Sequence, residues 1–400
     1  MANADVVARA RVVLFDVDRV SAERLVGIYR VLGEVDGPAH YARRLAVALH
    51  TTGHIFGHNG ADMGLTLGRL TEAIHLCRSL DPAEHRDRDA VLRGMLSTYQ
   101  WALYRYDRRA EALAVRREIL TLARAGARTG DRWFLAEALL EVAVALVEDG
   151  RDDEAEPLFA EAVTVTAGLT RGHVPTADRH WYITAHAGRL ATRGRFVDAA
   201  DAYRPLLETT HEDRQVPILL YGAQLLAAAN RPAESRTVLT RAVEAYRTRA
   251  AHSPGRGLRH DLLAHHLAVL GAADEPADIA HATTFDHWSP TRLIRHIEAE
   301  PALRAALDAP TTTPAQRVVL ERRVNVRATF APMSRTAATR LLVPAYAKAL
   351  EHARSLAIAD PTVATPLLAR ALTDYALVLA GVGRARDGIP ALEEATTLHG

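Results

Sequence analysis

Cysteine and lysine are almost missing from this chain of 400 residues: Cys77 is the single thiol and Lys348 the single lysine, leaving 48 arginines. One thiol excludes an internal disulfide and fits a reducing compartment. The arginine preference reads as a coding habit rather than a functional demand. Charge of one sign is lacking too, because 49 cationic side chains face 48 acidic ones for a formal net charge of +1. No global field steers such a protein toward nucleic acid or an anionic membrane. Long apolar runs are also absent: Met1 to Arg11 is polar and alternating, unlike a signal peptide, and no stretch reaches membrane-spanning length. The expectation is a cytoplasmic protein without a membrane partner. Glycine-rich phosphate loops, nucleophile elbows and cysteine metal spacings are missing as well. The sequence therefore supports no catalysis and calls for no cofactor and no metal.

What is present is a recurrence. Aligned on a turn glycine, one segment reads Leu139, Val142, Ala143, Leu146, Gly150, Ala155, Phe159, Ala162, and the next reads Ile183, His186, Ala187, Leu190, Gly194, Ala199, Tyr203, Leu206. A further copy puts Asn230 in the glycine position, with Leu219, Gly222, Ala223, Leu226, Ser235, Leu239 and Ala242 around it. The last copy has Leu372, Tyr375, Ala376, Leu379, Gly383, Gly388, Leu392 and Ala395, and weaker copies surround Gly60 and Asp107. Large apolar residues three and four apart make one stripe of a helix, and a small residue within the stripe lets a second helix approach closely. The turn needs a residue that tolerates positive φ, as Gly and Asn do. Each unit is a helix, a tight turn and an antiparallel helix. With 48% hydrophobic residues, stacked units can bury one continuous core.

The pattern resembles the tetratricopeptide repeat, whose small, aromatic and small positions on the second helix match Ala155, Phe159 and Ala162. The resemblance spans roughly residues 39 to 250 and again 362 to 399. It implies an all-α protein: a right-handed superhelical solenoid of antiparallel helix pairs. The turns lie 43 residues apart (107 to 150), then 44 (150 to 194), then 36 (194 to 230), against about 34 in the family. Longer helices follow, similar to the sensor regions of bacterial multidomain regulators. The family's closing proline is missing, and Pro157, Pro205 and Pro390 fall inside second helices, where kinks are expected.

Along the chain, residues 1–38 read as N-terminal capping helices, with Ser21 capping the helix that carries Leu25, Ile28, Tyr29 and Leu32. Residues 39–271 read as the solenoid and 272–314 as an irregular insert with one helix from Thr291 to Leu307. Helical repeats resume over 315–400. The insert is either a loop-rich wedge or a functional element.

Several clusters carry a chemical alternative. Val12-Val13-Leu14-Phe15-Asp16-Val17-Asp18 resembles the aspartate motif of haloacid-dehalogenase-type phosphotransferases, but alternating strands and a nearby lysine do not follow it. His50, His54 and His58 recur every four residues, a spacing that can bring two imidazoles to one zinc ion. Gly53 and Gly57 interrupt that helix, and a histidine-lined surface or dimer contact reads better. His260, His265 and His266 are similar with weaker spacing. Asp286-His287-Trp288-Ser289-Pro290 is either a binding loop or a helix cap.

In tetratricopeptide-like pairs the first helix lines the concave groove, which the resemblance maps to Ser97, Trp101, Tyr104, Arg105, Glu137, Leu140, Val144, Trp181, Thr184, Gly188, Leu220 and Gln224. Family members that clamp acidic C-terminal peptides use lysine, arginine and asparagine there, whereas this set is aromatic and neutral. It suits an apolar or helical protein or peptide segment, or a small amphipathic ligand. The leading expectation is a non-catalytic protein-interaction scaffold. One alternative is a ligand-responsive regulator that senses a peptide or small molecule and controls a partner protein. Another is an enzyme on the solenoid with a site in the insert around His281, Asp286 and His287. A nucleic-acid role for Arg322, Arg323 and Arg327 is not expected from the charge balance, and a homodimer stays open.

Overall fold

The computed structural model describes residues 4–58, 62–127, 132–167, 176–208, 215–252, 257, 260–271, 299–330 and 334–398. Among them every regular element is a helix. In order these are α1 (Ala4–Val13), a 3-10 helix (Leu14–Arg19), α2 (Ala22–Asp36), α3 (Pro38–His58), α4 (Met63–Ser79), α5 (Arg88–Arg105), α6 (Arg109–Ala127), α7 (Arg132–Glu148) and α8 (Asp152–Ala167). Then come α9 (Thr176–Thr192), α10 (Phe196–Leu207), α11 (Gln215–Ala228), α12 (Pro232–His252), α13 (His260–Gly271), α14 (Glu300–Asp308), α15 (Pro314–Ala328), α16 (Arg335–Ala359), α17 (Pro361–Gly381) and α18 (Ala385–Leu398). The chain divides into two compact units, Met1–Leu169 and Thr170–Gly400. Within each unit, most helices that follow one another in sequence pack on one another, as expected of a helical repeat protein.

The hairpin turns share one construction. Asp107 and Asn230 adopt φ 58°, and Gly150, Gly194 and Gly383 adopt φ of 73 to 81°. After each comes an arginine whose backbone N–H donates to a leucine carbonyl five residues back: Arg108 to Leu103, Arg151 to Leu146, Arg195 to Leu190, Arg231 to Leu226 and Arg384 to Leu379, at 2.7 to 3.0 Å. This is a Schellman closure, in which the left-handed residue turns the chain so that orphan carbonyls of the first helix find donors. The same arginines pair with an acid three residues on, Glu111, Glu154, Asp198, Glu234 and Asp387. That acid sits in the first turn of the second helix, where the dipole favours negative charge.

A second regularity runs between second helices of the first unit. Arg30 on α2 pairs with Glu72 on α4, Arg78 on α4 with Glu118 on α6, and Arg124 on α6 with Glu161 on α8, at 2.6 to 3.0 Å. In the second unit the last hairpin docks on a helix far away in sequence. The Tyr246 hydroxyl on α12 donates to the Ala376 carbonyl on α17, and Arg247 pairs with Glu393 on α18. Gly388 makes room for this, since a Cβ there would lie 2.2 Å from the tyrosine oxygen.

α8, α10 and α18 continue through Pro157, Pro205 and Pro390. Each of these prolines is exposed. The Val12–Asp18 segment ends α1 and forms the 3-10 turn, with Phe15 91% exposed. Ala309–Pro314 leads into a helix start, where Thr313 and Gln316 form a reciprocal capping box on α15. The insert segment 272–298, including Thr291, His281, Asp286, His287, Trp288 and Ser289, lies outside the described residues, as does Gly60.

One described helix, Pro361–Gly381, is long and apolar enough to cross a membrane, and 67% of its apolar window is buried inside the protein.

Candidate functional site

In the first unit, α3, α5 and α7 are the first helices of consecutive pairs, and side chains tie them side by side. His50 Nε2 on α3 lies 2.8 Å from Thr98 Oγ1 on α5. Gln100 Nε2 on α5 donates to Glu141 Oε1 on α7 at 2.8 Å, and the Arg93 guanidinium of α5 stands 4.2 Å from the Phe134 ring centre of α7. Burial, and then the neighbouring His54, lower the His50 pKa from its ordinary value.

Behind this row a cation is buried. Arg116 of α6 is fully enclosed; its Nε donates to Gln100 Oε1 and its Nη1 to the Glu141 carbonyl at 2.7 Å. Its Nη2 makes no hydrogen bond, and the guanidinium lies 4.4 Å over the Tyr104 ring. Here the aromatic face replaces a missing polar partner, a favourable use of a ring quadrupole away from water. Burial pushes the Tyr104 phenol up to about 12, with Arg116 pulling the other way.

Of the residues mapped to a groove, the accessible ones in this unit are Ser97, Trp101 and Glu137, all half-buried, and Arg105, which is exposed. Ser97, Trp101 and Arg105 recur every four residues on one stripe of α5. Tyr104, Leu140 and Val144 are buried. Sequence reasoning missed the apolar residues left open on the same row: Val47 and Ile55 of α3 and Phe134 of α7 are 40 to 45% exposed. Their signal was the outward stripe of α3 through Val47, Thr51, His54 and Ile55, which the histidine spacing obscured.

In the second unit, Trp181 and Thr184 of α9 and Leu220 of α11 are buried, while Gly188 and Gln224 are half-buried. Trp181 forms a triangle of rings with His180 and His266: it stacks on His266 at 5.0 Å and lies tilted to His180 at 4.3 Å, and the two imidazoles stand 5.8 Å apart. The Thr184 hydroxyl donates to the His180 carbonyl at 2.7 Å. The side chains of His260 and His265 lie outside the described set, as does that of His58. Among the described residues no group of three His, Cys, Asp or Glu side chains could hold a metal ion. Cys77 is buried, and burial raises its thiol pKa.

The same unit contains a second polar core around α15. Arg322 donates to Asp374 of α17 at 2.5 and 3.2 Å and to the Leu270 carbonyl at 2.9 Å. Glu321 pairs with His352 of α16 at 2.7 Å, and Asn325 donates to the Ala345 carbonyl. Arg322 and Arg327 are buried and Arg323 is half-buried, so the first two present no guanidinium for a phosphate backbone.

No family model matches the chain, and no curated protein matches it. Among solved structures, it is similar to one described as a "Circular tandem repeat protein with novel repeat topology and enhanced subunit contact surfaces". That likeness covers 98% of this chain and 93% of the other at 16% identity, with a TM-score of 0.23. At that score it carries no argument about what this chain does.

Proposed function

We propose that this protein is a non-catalytic binding scaffold of the tetratricopeptide type, with antiparallel helix pairs wound into a right-handed superhelix. Its partner surface is the accessible face of α3, α5 and α7 in the first unit. The observation that carries this reading is the set of apolar side chains left open there: Val47, Ile55 and Phe134, with half-buried Trp101 among them. Open apolar groups on adjacent first helices offer a partner large area at small ordering cost, and tryptophan is among the residues that most often dominate such binding. The occupant is an apolar or helical protein segment. Arg105 and Glu137 supply a polar rim of both signs, unlike a cationic clamp for acidic tails. The cytoplasm and the four-segment division at 38, 271 and 314 belong to the same reading. Trp181, Thr184 and Gln224 stand in the second unit, outside this surface.

The test is affinity capture from native extract with the parent chain and a Trp101→Ala/Phe134→Ala variant. The expected result is a set of partners held by the parent and lost from the variant, with helical circular dichroism preserved. Equal capture by both chains overturns the surface.

A ligand-responsive regulator is the second reading, favoured by a groove in the second unit. The enzyme alternative rests on His281, Asp286 and His287, which lie outside the described residues.

A further inference from the structure

Helix α1 and the 3-10 turn after it have two unlike faces. Val7, Ala10, Val13 and Leu14 are buried or half-buried, and α1 packs against α2. Asp5, Ala8, Arg9, Val12, Phe15, Asp16 and Arg19 are all exposed, and steps of three and four residues gather them on one outward stripe. Val12 and Phe15 stand in the middle of it, 65 and 91% exposed, and Phe15 is the most exposed large apolar side chain among the described residues. Covering this pair removes apolar area from water without any rearrangement of the helix.

The charges on the stripe say what covers it. Their signs alternate as Asp5, Arg9, Asp16 and Arg19, and their positions are balanced about Val12: Arg9 lies three residues before it and Asp16 four after, while Asp5 lies seven before and Arg19 seven after. Reversing the direction of the stripe therefore exchanges each acid for an arginine. We propose that α1 and its 3-10 turn form an isologous contact with a second copy of this chain, antiparallel about a two-fold axis at Val12.

In that arrangement Asp5 meets the partner's Arg19 and Arg9 meets the partner's Asp16, and symmetry makes each pair twice. The Phe15 ring falls on the partner's Ala8, a large side chain on a small one, and the two Val12 side chains meet at the axis. A parallel pairing sets like charges against each other instead, which like-charge repulsion disfavours. Within one chain Asp16 and Arg19 stand 3.6 Å apart with both side chains largely exposed, a contact worth little in water and readily exchanged for the intermolecular pairs. A contact confined to one helix and the turn after it is small among specific interfaces, so association follows concentration rather than being permanent. This stripe is separate from the surface on α3, α5 and α7 and stands or falls independently of it.

Sedimentation velocity of the full chain from about 1 to 100 μM tests the contact. The mass is expected to rise with concentration from 43.6 kDa toward twice that value. Phe15→Glu puts a carboxylate in the middle of the contact and should leave monomer throughout. Arg9→Glu and Asp16→Arg each set like charges together at two places, so either alone should weaken association about tenfold or more. The double variant Arg9→Glu/Asp16→Arg restores opposite signs and should return to within about threefold of the parent. All these side chains are exposed, so the melting temperatures should stay near that of the parent. Trp101→Ala/Phe134→Ala should associate as the parent does. A monomer at every concentration, association of Phe15→Glu, a double variant as weak as the single ones, or loss of association in Trp101→Ala/Phe134→Ala overturns the proposal.

Discussion

Both units bury an arginine, and they settle its charge differently. In the first unit Arg116 meets a neutral amide oxygen, a backbone carbonyl and an aromatic face, while the nearby Glu141 carboxylate receives the Gln100 amide. In the second, Arg322 meets the Asp374 carboxylate directly, with both side chains nearly inaccessible. The first arrangement spreads one positive charge over several dipoles; the second sets it directly against a carboxylate, with the Leu270 carbonyl beside it. The lesson is that a charge held by a single ion depends on that ion, whereas a charge held by dipoles loses only a fraction when any one of them goes.

The largest effect expected from this contrast is at Asp374. Asp374→Ala takes a buried carboxylate away from Arg322 and should cost about 3–5 kcal/mol of stability in urea unfolding. Arg322→Met/Asp374→Leu removes both charges and should recover most of that loss. A double variant as unstable as the single one would show that packing, not charge, decides the second unit.

Alkaline pH probes the first unit. The Tyr104 phenol has its folded pKa raised to about 12 from 10.0, burial being the main cause. Its contribution is fully present below pH 10 and is lost as pH rises through the folded value. Tyr104→Phe should therefore flatten part of the decline in stability between pH 10 and 12 and leave neutral behaviour nearly unchanged. An unaltered alkaline limb, measured by denaturation at each pH, would separate Tyr104 from the Arg116 site.

The smallest effect belongs to the surface. Arg78–Glu118 is one rung of the Arg–Glu ladder, and its side chains are 50 and 36% exposed. Glu118→Gln should cost no more than about 1 kcal/mol, since exposed pairs gain little in water. A loss comparable with that of Asp374→Ala would erase the distinction between exposed and buried pairs.

The turn construction was legible in part. Gly150, Gly194, Gly383 and Asn230 announce themselves because few residues tolerate positive φ. The arginine and acid that follow each turn are equally regular, yet an alignment on apolar columns passes over them as surface charge. The site was less legible. Helical spacing gives the angular position of Tyr104, Val144, Trp181 and Thr184 on their helices, but not whether a neighbour covers that angle, and all four are buried. Arg322 and Arg327 mislead in the opposite direction, since charged residues are rarely buried unless they find partners, and the partners of Arg322 come from α13 and α17.

By itself the sequence determined the helical class, the hairpin turns and the small residues that let paired helices approach, because these depend on spacing along the chain and on local backbone preference. Tertiary structure alone decided which charges are enclosed and where the last hairpin docks. Tyr246 and Ala376 are 130 residues apart, and no local preference specifies a contact at that separation. It forms because Gly388 leaves the space and the buried hydroxyl needs an acceptor.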